Sequence, residues 1–269
     1  MARDEADIAQ AWCEHMLTQV DHLIVADNLS TDGTREIMAS FGDAITLIDD
    51  PDPAYQQSDK MSALAARALN MGFTWAVASD LDEAWMTTDN RPIRVYLDGL
   101  APDIRVVTTE LFNHIPTAID PLEFERDRFT DELVSSEPNP FRRIGWRKRE
   151  RAPLPKVCVR LCDGLIIHMG NHSAYLPGIA PAAPGLVVRH YSWRTREQYV
   201  RKIATGARAY ALTAMDESVG AHWRMHGLPP DDPAALAEWE QRVGDHFTTW
   251  FYSPDPYADS SMIYDPAPI

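Results

Sequence analysis

The chain is short of three things, and each shortage narrows its class. No run of about 18 apolar residues is available to span a bilayer, and no charged-then-apolar leader opens the sequence. A cytoplasmic protein without a transmembrane segment is the expectation. Cysteine is scarce: Cys13, Cys158 and Cys162 are too few, and odd in number, for a disulfide framework. Cys158 and Cys162 stand four apart on a strand-like run and share a face, so buried reduced thiols are preferred over a zinc pair. Positive charge is also short, with 25 Lys and Arg against 40 Asp and Glu and a formal net charge of -15. That surface repels nucleic acid and anionic membrane. Nucleic acid is therefore not an expected partner, and a phosphate-bearing ligand would need a metal or a local basic cluster. No internal repeat or low-complexity tract is present.

What is present suits a folded globular protein, since 269 residues at 45% apolar content can fill a sizeable core. Residues 6–19 put Ile8, Ala11, Trp12 and Leu17 near a helical stripe, and HLIVA at 22–26 has the length of a strand. Asp32, Gly33 or Thr34 can cap a helix carrying Ile37 and Phe41. A strand at 44–49 and a helix at 58–72 follow, the helix capped by Ser58 or Asp59 and stopped at Gly72. FTWAVASDLDEAW then reads as an apolar strand ending in acids. Strands alternating with helices predict an α/β fold whose sheet is mostly parallel, with ligands beyond the carboxyl ends of its strands. Further on, 105–112 reads as a strand, 120–155 as a long loop, and 156–172 as two strands around Asp163-Gly164. Helices are expected from Thr195 to Met215 and over 232–252, before an irregular tail.

Three constellations bear chemistry. Asp80-Leu81-Asp82-Glu83 places three acids at a strand end, where they repel one another unless something cationic sits among them. A divalent ion with hard oxygen ligands, Mn²⁺ or Mg²⁺ bridging to substrate phosphates, meets that need; the plainer alternative is a solvated turn or a helix start. Asp27-Asn28 to Thr34 is what any strand-turn-helix junction uses, but Arg3-Asp4-Glu5, Asp27-Asn28 and Asp80-Leu81-Asp82 recur after successive units and would converge at one sheet edge. Carboxylates there can accept hydrogen bonds from a base or a ribose. Among His168, His172 and His190, the last is flanked by Arg189, Arg194, Arg196 and Lys202, a basic cluster suited to a diphosphate. Salt bridging to the acidic surface is the competing role for those cations.

Taken in order, R-D-E-A-D at residues 3–7, D-N-x-S-T-D-G-T at 27–34, D-x-D-E at 80–83, G-N-H at 170–172 and H-Y-x-x-R at 190–194 resemble the family-2-like glycosyltransferases of the GT-A fold, over roughly residues 3–205. The resemblance implies a GT-A type, Rossmann-like sheet flanked by helices over 1–194, with C-terminal helices and tail at 195–269. It implies transfer of a hexose or related sugar from a nucleoside-diphosphate donor, a UDP-linked one being expected, to a glycan, lipid or protein acceptor with inversion. Carried over, Arg3, Glu5, Asp27, Asn28 and Asp32 would face the nucleotide, Asp80 the ribose or the metal, and Asp82 the metal. His190 would add a metal ligand, and Arg194 and Lys202 would meet the phosphates. The base that inverting transfer needs has no family motif here; His172, Glu110 and Glu83 are candidates in that order. The family also has a full strand before R-D-E, where this sequence has Met1 and Ala2. Losing an internal strand would open two edges, so either an upstream segment or another part of the chain is expected to fill the gap.

Rival classes are weaker. G-N-H also occurs in two-metal phosphoesterases, but their D-x-H, G-D-x-x-D and G-H-x-H partners are missing. The nucleophilic Asp of dehalogenase-type phosphatases comes near the first strand, and Asp80 comes too late. A non-catalytic nucleotide- or glycan-binding module on the same fold is the main alternative. Trp146, Trp193, Trp223 and Trp239 are available to stack on sugars, with core packing the default for each.

Overall fold

The computed structural model describes residues 1–113, 146–148, 155–192, 194–229, 232–235, 237 and 262–264. Most of the expected loop at 120–155 and helix at 232–252, the tail after it except 262–264, Trp193 and Trp239 lie outside the described residues. The chain divides into two compact units, Met1–Leu111 with Pro153–Arg189, and Phe112–Ala152 with His190–Ile269. His190 and Arg194 thus go with the C-terminal helices.

In the first unit, α1 (Ala6–Gln19) buries a stripe of Ile8, Trp12, Cys13 and Met16. β1 (Leu23–Asp27) pairs in parallel with β2 (Ile45–Asp49), from Leu23↔Ile45 to Asp27↔Asp49. Between them runs α2 (Thr34–Ala39), entered through Gly33 at φ 95°, a left-handed conformation that a side chain would strain. α3 (Gln57–Asn70) buries Met61, Ala65 and Ala68 and leads to β3 (Trp75–Val77). There the alternation stops. β4 (Glu83–Thr87) follows β3 with no helix between, then come α4 (Ile93–Asp98), β5 (Val106–Asn113) and, after β6 (Trp146–Lys148), which goes with the second unit, β7 (Val157–Arg160), β8 (Ile166–Ile167), β9 (Ala174–Tyr175) and β10 (Ala182–His190).

Five strands form one sheet in the order β3-β7-β5-β10-β4. β7 is antiparallel to both neighbours, with Trp75↔Arg160 on one side and Val106↔Val159 on the other. The architecture is mixed, which corrects the expectation of a mostly parallel sheet. Strand-helix alternation implies parallel pairing only where a helix carries the chain back across the sheet, whereas β7 arrives from a distant segment and inserts between β3 and β5. The Asp163-Gly164 turn is present, with Gly164 at φ 74°, but β8 pairs with β9 rather than with β7. Met61, Ala65 and Ala68 of α3 pack with Val157, Val159, Leu161 and Ile167 into a core cluster. β1 and β2 form a separate two-stranded sheet, to which Ala2 adds one parallel bridge at Asp27.

The second unit contains α5 (Arg196–Ala211), whose N-cap Thr195 accepts a hydrogen bond from Gln198 N–H at 3.2 Å, α6 (Ala221–His226), and β11 (Met262–Tyr264) antiparallel to β6. Trp223 packs on Tyr199, Val200 and Ile203, and a Cβ on Gly206 would meet its ring at 2.5 Å. Core packing, the default role, is the one Trp223 fills. No helix among the described residues is long and apolar enough to cross a membrane.

His15 offers a test of this packing. Its Nε2 donates to Trp85 O at 2.7 Å, and burial lowers its pKa against the opposing pull of that carbonyl. A histidine held neutral in the native state contributes stability above its ordinary value near 6.5, lost as pH falls below it. Melting temperature is expected to decline below pH 6.5, and His15→Gln, which keeps a donor without titrating, should flatten that decline. An equal decline in the variant would assign the effect to another group.

Candidate functional site

The carboxyl end of β1 is interlocked with the segment that begins the chain. Arg3 Nη1 donates to Asn28 Oδ1 at 2.8 Å, Asp4 N–H to Ser30 Oγ at 3.0 Å, Glu5 N–H to Thr34 Oγ1 at 2.8 Å, and Ala6 N–H to Asp32 Oδ2 at 3.0 Å. Asp4 Oδ1 returns the contact by accepting Thr31 N–H at 2.8 Å. The expected convergence of R-D-E with D-N-x-S-T-D is thus present. Several of its members are spent on the fold, however. Asp32 Oδ1 accepts Thr34 N–H at 3.1 Å, so both its oxygens hold backbone. Asn28 Nδ2 donates to Asp50 Oδ2 at 2.9 Å and Asp52 O at 2.6 Å. Asp27 differs: Arg35 lies 3.6 Å from Oδ2, while Oδ1 is buried with no hydrogen-bond partner among the described residues. A buried carboxylate oxygen with capacity left is what a ligand N–H or hydroxyl would meet. Leu29, at φ 61° and 46% exposed, is a bulky side chain in a conformation that such residues avoid. It flanks Asn28, and the sequence reading passed over it.

At the end of β3 the acid cluster contains its cation. Lys156 Nζ lies 2.6 Å from Glu83 Oε1 and 3.2 Å from Asp80 Oδ2, and its side chain is 5% exposed. Burial alone would lower the Lys156 pKa, but Glu83 and then Asp80 beside it raise it overall. Burial likewise would raise Asp80, yet Lys156 and the α-amino group of Met1 hold it below the usual carboxylate range. Glu83, a candidate base, is fully buried, and its Oε2 accepts Asp80 N–H and Trp85 Nε1–H, each at 3.2 Å. Its oxygens are engaged in holding this corner. Asp82 is buried too, at 4% exposed.

The G-N-H turn reaches the same place. Gly170 N–H donates to Gln57 Oε1 at 2.7 Å, Gln57 Nε2 donates to Asp80 Oδ1 at 3.3 Å, and Asn171 Nδ2 approaches Asp80 Oδ1 at 3.4 Å. Asn171 is fully buried, and its Oδ1 has no partner among the described residues. His172 follows directly, half-buried, with Nδ1 against Pro155 O at 2.8 Å. The structure therefore groups Arg3, Glu5, Asp27, Asn28 and Asp32 in one network, and Asp80, Glu83 and the turn carrying His172 in another. Glu110 stands exposed on β5, with no such contact described. His190, Arg194 and Lys202 belong to the second unit, where Arg194 Nη1 donates to Tyr191 O at 2.8 Å and Ser192 Oγ lies 3.1 Å from His190 Nε2.

Lys156, Gln57 and Asn171 were missed as site residues. The demand for a cation among the acids was readable; that a lysine 76 positions downstream of Asp80 meets it was not. Among the described residues no three His, Cys, Asp or Glu side chains are grouped as metal ligands. No protein-family model matches the chain, and no curated protein is significantly similar to it.

Proposed function

We propose that the chain is a metal-dependent glycosyltransferase of GT-A type, moving a sugar from a nucleoside-diphosphate donor to an acceptor hydroxyl. The observation that carries this reading is the interlock of Arg3-Asp4-Glu5 with the turn after β1, which leaves Asp27 Oδ1 buried and unbonded among the described residues. In this reading Asp27 accepts a hydrogen bond from the nucleoside, and Arg3 and Asn28 hold the turn that presents it. The acids after β3 take the diphosphate end.

The residues fit a divalent ion of the hard, oxygen-seeking kind. Mg²⁺ and Mn²⁺ are held by one or two carboxylates completed by substrate phosphates; Asp80 and Asp82 would supply two, and Asn171, whose Nδ2 lies 3.4 Å from Asp80 Oδ1, has a neutral Oδ1 unbonded among the described residues. A bound ion would supply charge neutralisation for the departing diphosphate. Lys156 keeps Asp80 ionised. The turn at Gly170 to His172, tied to Asp80 through Gln57, makes His172 the first candidate to take the acceptor proton. A nucleoside diphosphate is expected to bind much more tightly with Mn²⁺ or Mg²⁺ than with chelator, because Lys156 is already paired with Glu83 and Asp80 and a metal ion would add the positive charge that the phosphates need beside these acids. Titration calorimetry in both conditions checks this, and equal affinities would remove the metal-bridged reading.

A further inference from the structure

His172 is held from two sides, by the turn that precedes it and by a strand far from it in sequence. In the turn, His168 C=O accepts Asn171 N–H at 3.0 Å and Gly170 has φ 75° and ψ 0°, the values of the third position of a type II turn, which glycine adopts without strain. The imidazole folds back over that glycine. A Cβ on Gly170 would lie 2.4 Å from His172 Cδ2 and 2.7 Å from Nε2, closer than nonbonded atoms approach. Gln57 Oε1, accepting Gly170 N–H at 2.7 Å, fixes the turn on α3. Glycine is thus required by the backbone and again by the ring.

On the other side, His172 Nδ1 lies 2.8 Å from Pro155 O. A carbonyl oxygen only accepts, so the neutral ring carries its proton on Nδ1 and its lone pair on Nε2. This carbonyl is itself anchored. It belongs to the same peptide unit as Lys156 N–H, which donates to Thr109 Oγ1 at 2.7 Å, and a trans peptide points its N–H and C=O in opposite directions. Thr109, 8% exposed on β5, also donates to Lys156 O at 3.0 Å. One buried hydroxyl and one peptide plane therefore connect β5 to the imidazole. The Lys156 side chain leaves that plane to pair with Asp80 and Glu83, so the group that orients His172 is tied to the acid cluster as well.

We infer that Thr109 and Gly170 are positioning residues for His172: Thr109 fixes the Pro155–Lys156 peptide that selects the Nδ1–H tautomer, and Gly170 leaves room for the ring. The tautomer matters because a general base needs its lone pair on the nitrogen that meets the acceptor hydroxyl. Here that nitrogen is Nε2, on the ring edge against Gly170. Histidine in water prefers the opposite tautomer, so the Nδ1–H form is imposed by the fold. What Nε2 does rests on the transferase reading, whereas how the ring is held rests on these contacts alone.

Long-range ¹H–¹⁵N correlation spectra at about pH 8.5, above the ordinary imidazole value, report the tautomer directly, the His172 signals being those lost in His172→Gln. The parent is expected to show the Nδ1–H form. Thr109→Val, which keeps shape and removes the hydroxyl, should move His172 toward the Nε2–H form, and Thr109→Ser should restore the parent's form. Gly170→Ala should lose it by pushing the ring aside. In turnover of the UDP-hexose that the parent uses, with Mn²⁺, Thr109→Val is expected to lower kcat by about 10-fold or more and leave KM nearly unchanged. In the His172→Gln background the same substitution should cost nothing further. An Nε2–H form in the parent, or a tautomer that Thr109→Val and Gly170→Ala leave unchanged, would overturn the inference. So would a kcat loss from Thr109→Val that persists undiminished beside His172→Gln. A parent with the expected tautomer, lost in both variants, that turns over no UDP-hexose upholds the positioning and tells against the transferase reading, so the two fail separately.

Discussion

Lys156→Met is expected to destabilise the protein by about 3–5 kcal/mol, the usual result of removing one partner from a buried ion pair. For a chain of this size that is roughly 6–20 °C in Tm. Methionine keeps most of the stem volume, so the loss would report charge more than packing. Glu83 is fully buried and relies on Nζ at 2.6 Å, and Asp80 shares the same cation at 3.2 Å. The pH dependence separates the two causes. Asp80, lowered below its ordinary 3.8, contributes stability that is present above that value and lost as pH falls through its native pKa. Lys156, raised above 10.5, contributes stability that is complete below that value and lost only as pH rises through its native pKa. The pair is therefore fully effective from about pH 4 to pH 10. In the variant the buried carboxyls take up protons more readily and need no cation once neutral. Its deficit against the parent should shrink as acid is approached, measured by denaturant titration at several pH values. A deficit constant across that range would mean lost packing alone.

This pair also marks where sequence reasoning stops. α1 and α3 were legible because their apolar stripes are local, with Ile8, Trp12, Met61 and Ala65 on the buried sides. The meeting of Arg3 with Asn28 was legible because both follow from chain order: each lies just past a strand position on one sheet edge. Lys156 was not, since pairing with Asp80 across 76 positions leaves no local pattern. The antiparallel insertion of β7 was hidden for the same reason: an apolar run such as Val157–Val159 shows that a strand is buried, and nothing in it says between which neighbours or in which direction. The single parallel bridge between Ala2 and Asp27, which sets the register of the first residues beside β1, came from the structure.

Asp82→Asn is expected to lower metal-dependent sugar transfer and donor hydrolysis by on the order of 10²-fold or more while leaving the fold intact. Asparagine keeps the shape of the side chain and removes its charge, and at 4% exposure shape must be kept for the comparison to be fair. Thermal stability is expected to match or slightly exceed the parent, because Asp82 adds to the negative field around Asp80 and its removal relieves that repulsion. The split between activity and stability is the informative result. A residue that only packs would lose both together, and a carboxylate whose work lies in the departure of the diphosphate would lose turnover alone. Calorimetry on the same variant should show the metal-dependent part of nucleoside-diphosphate affinity falling with activity, while binding in chelator stays at the parent's level. If Asp82→Asn keeps full transfer activity, the carboxylate after β3 has no part in the chemistry, and the metal-dependent transferase reading falls with it.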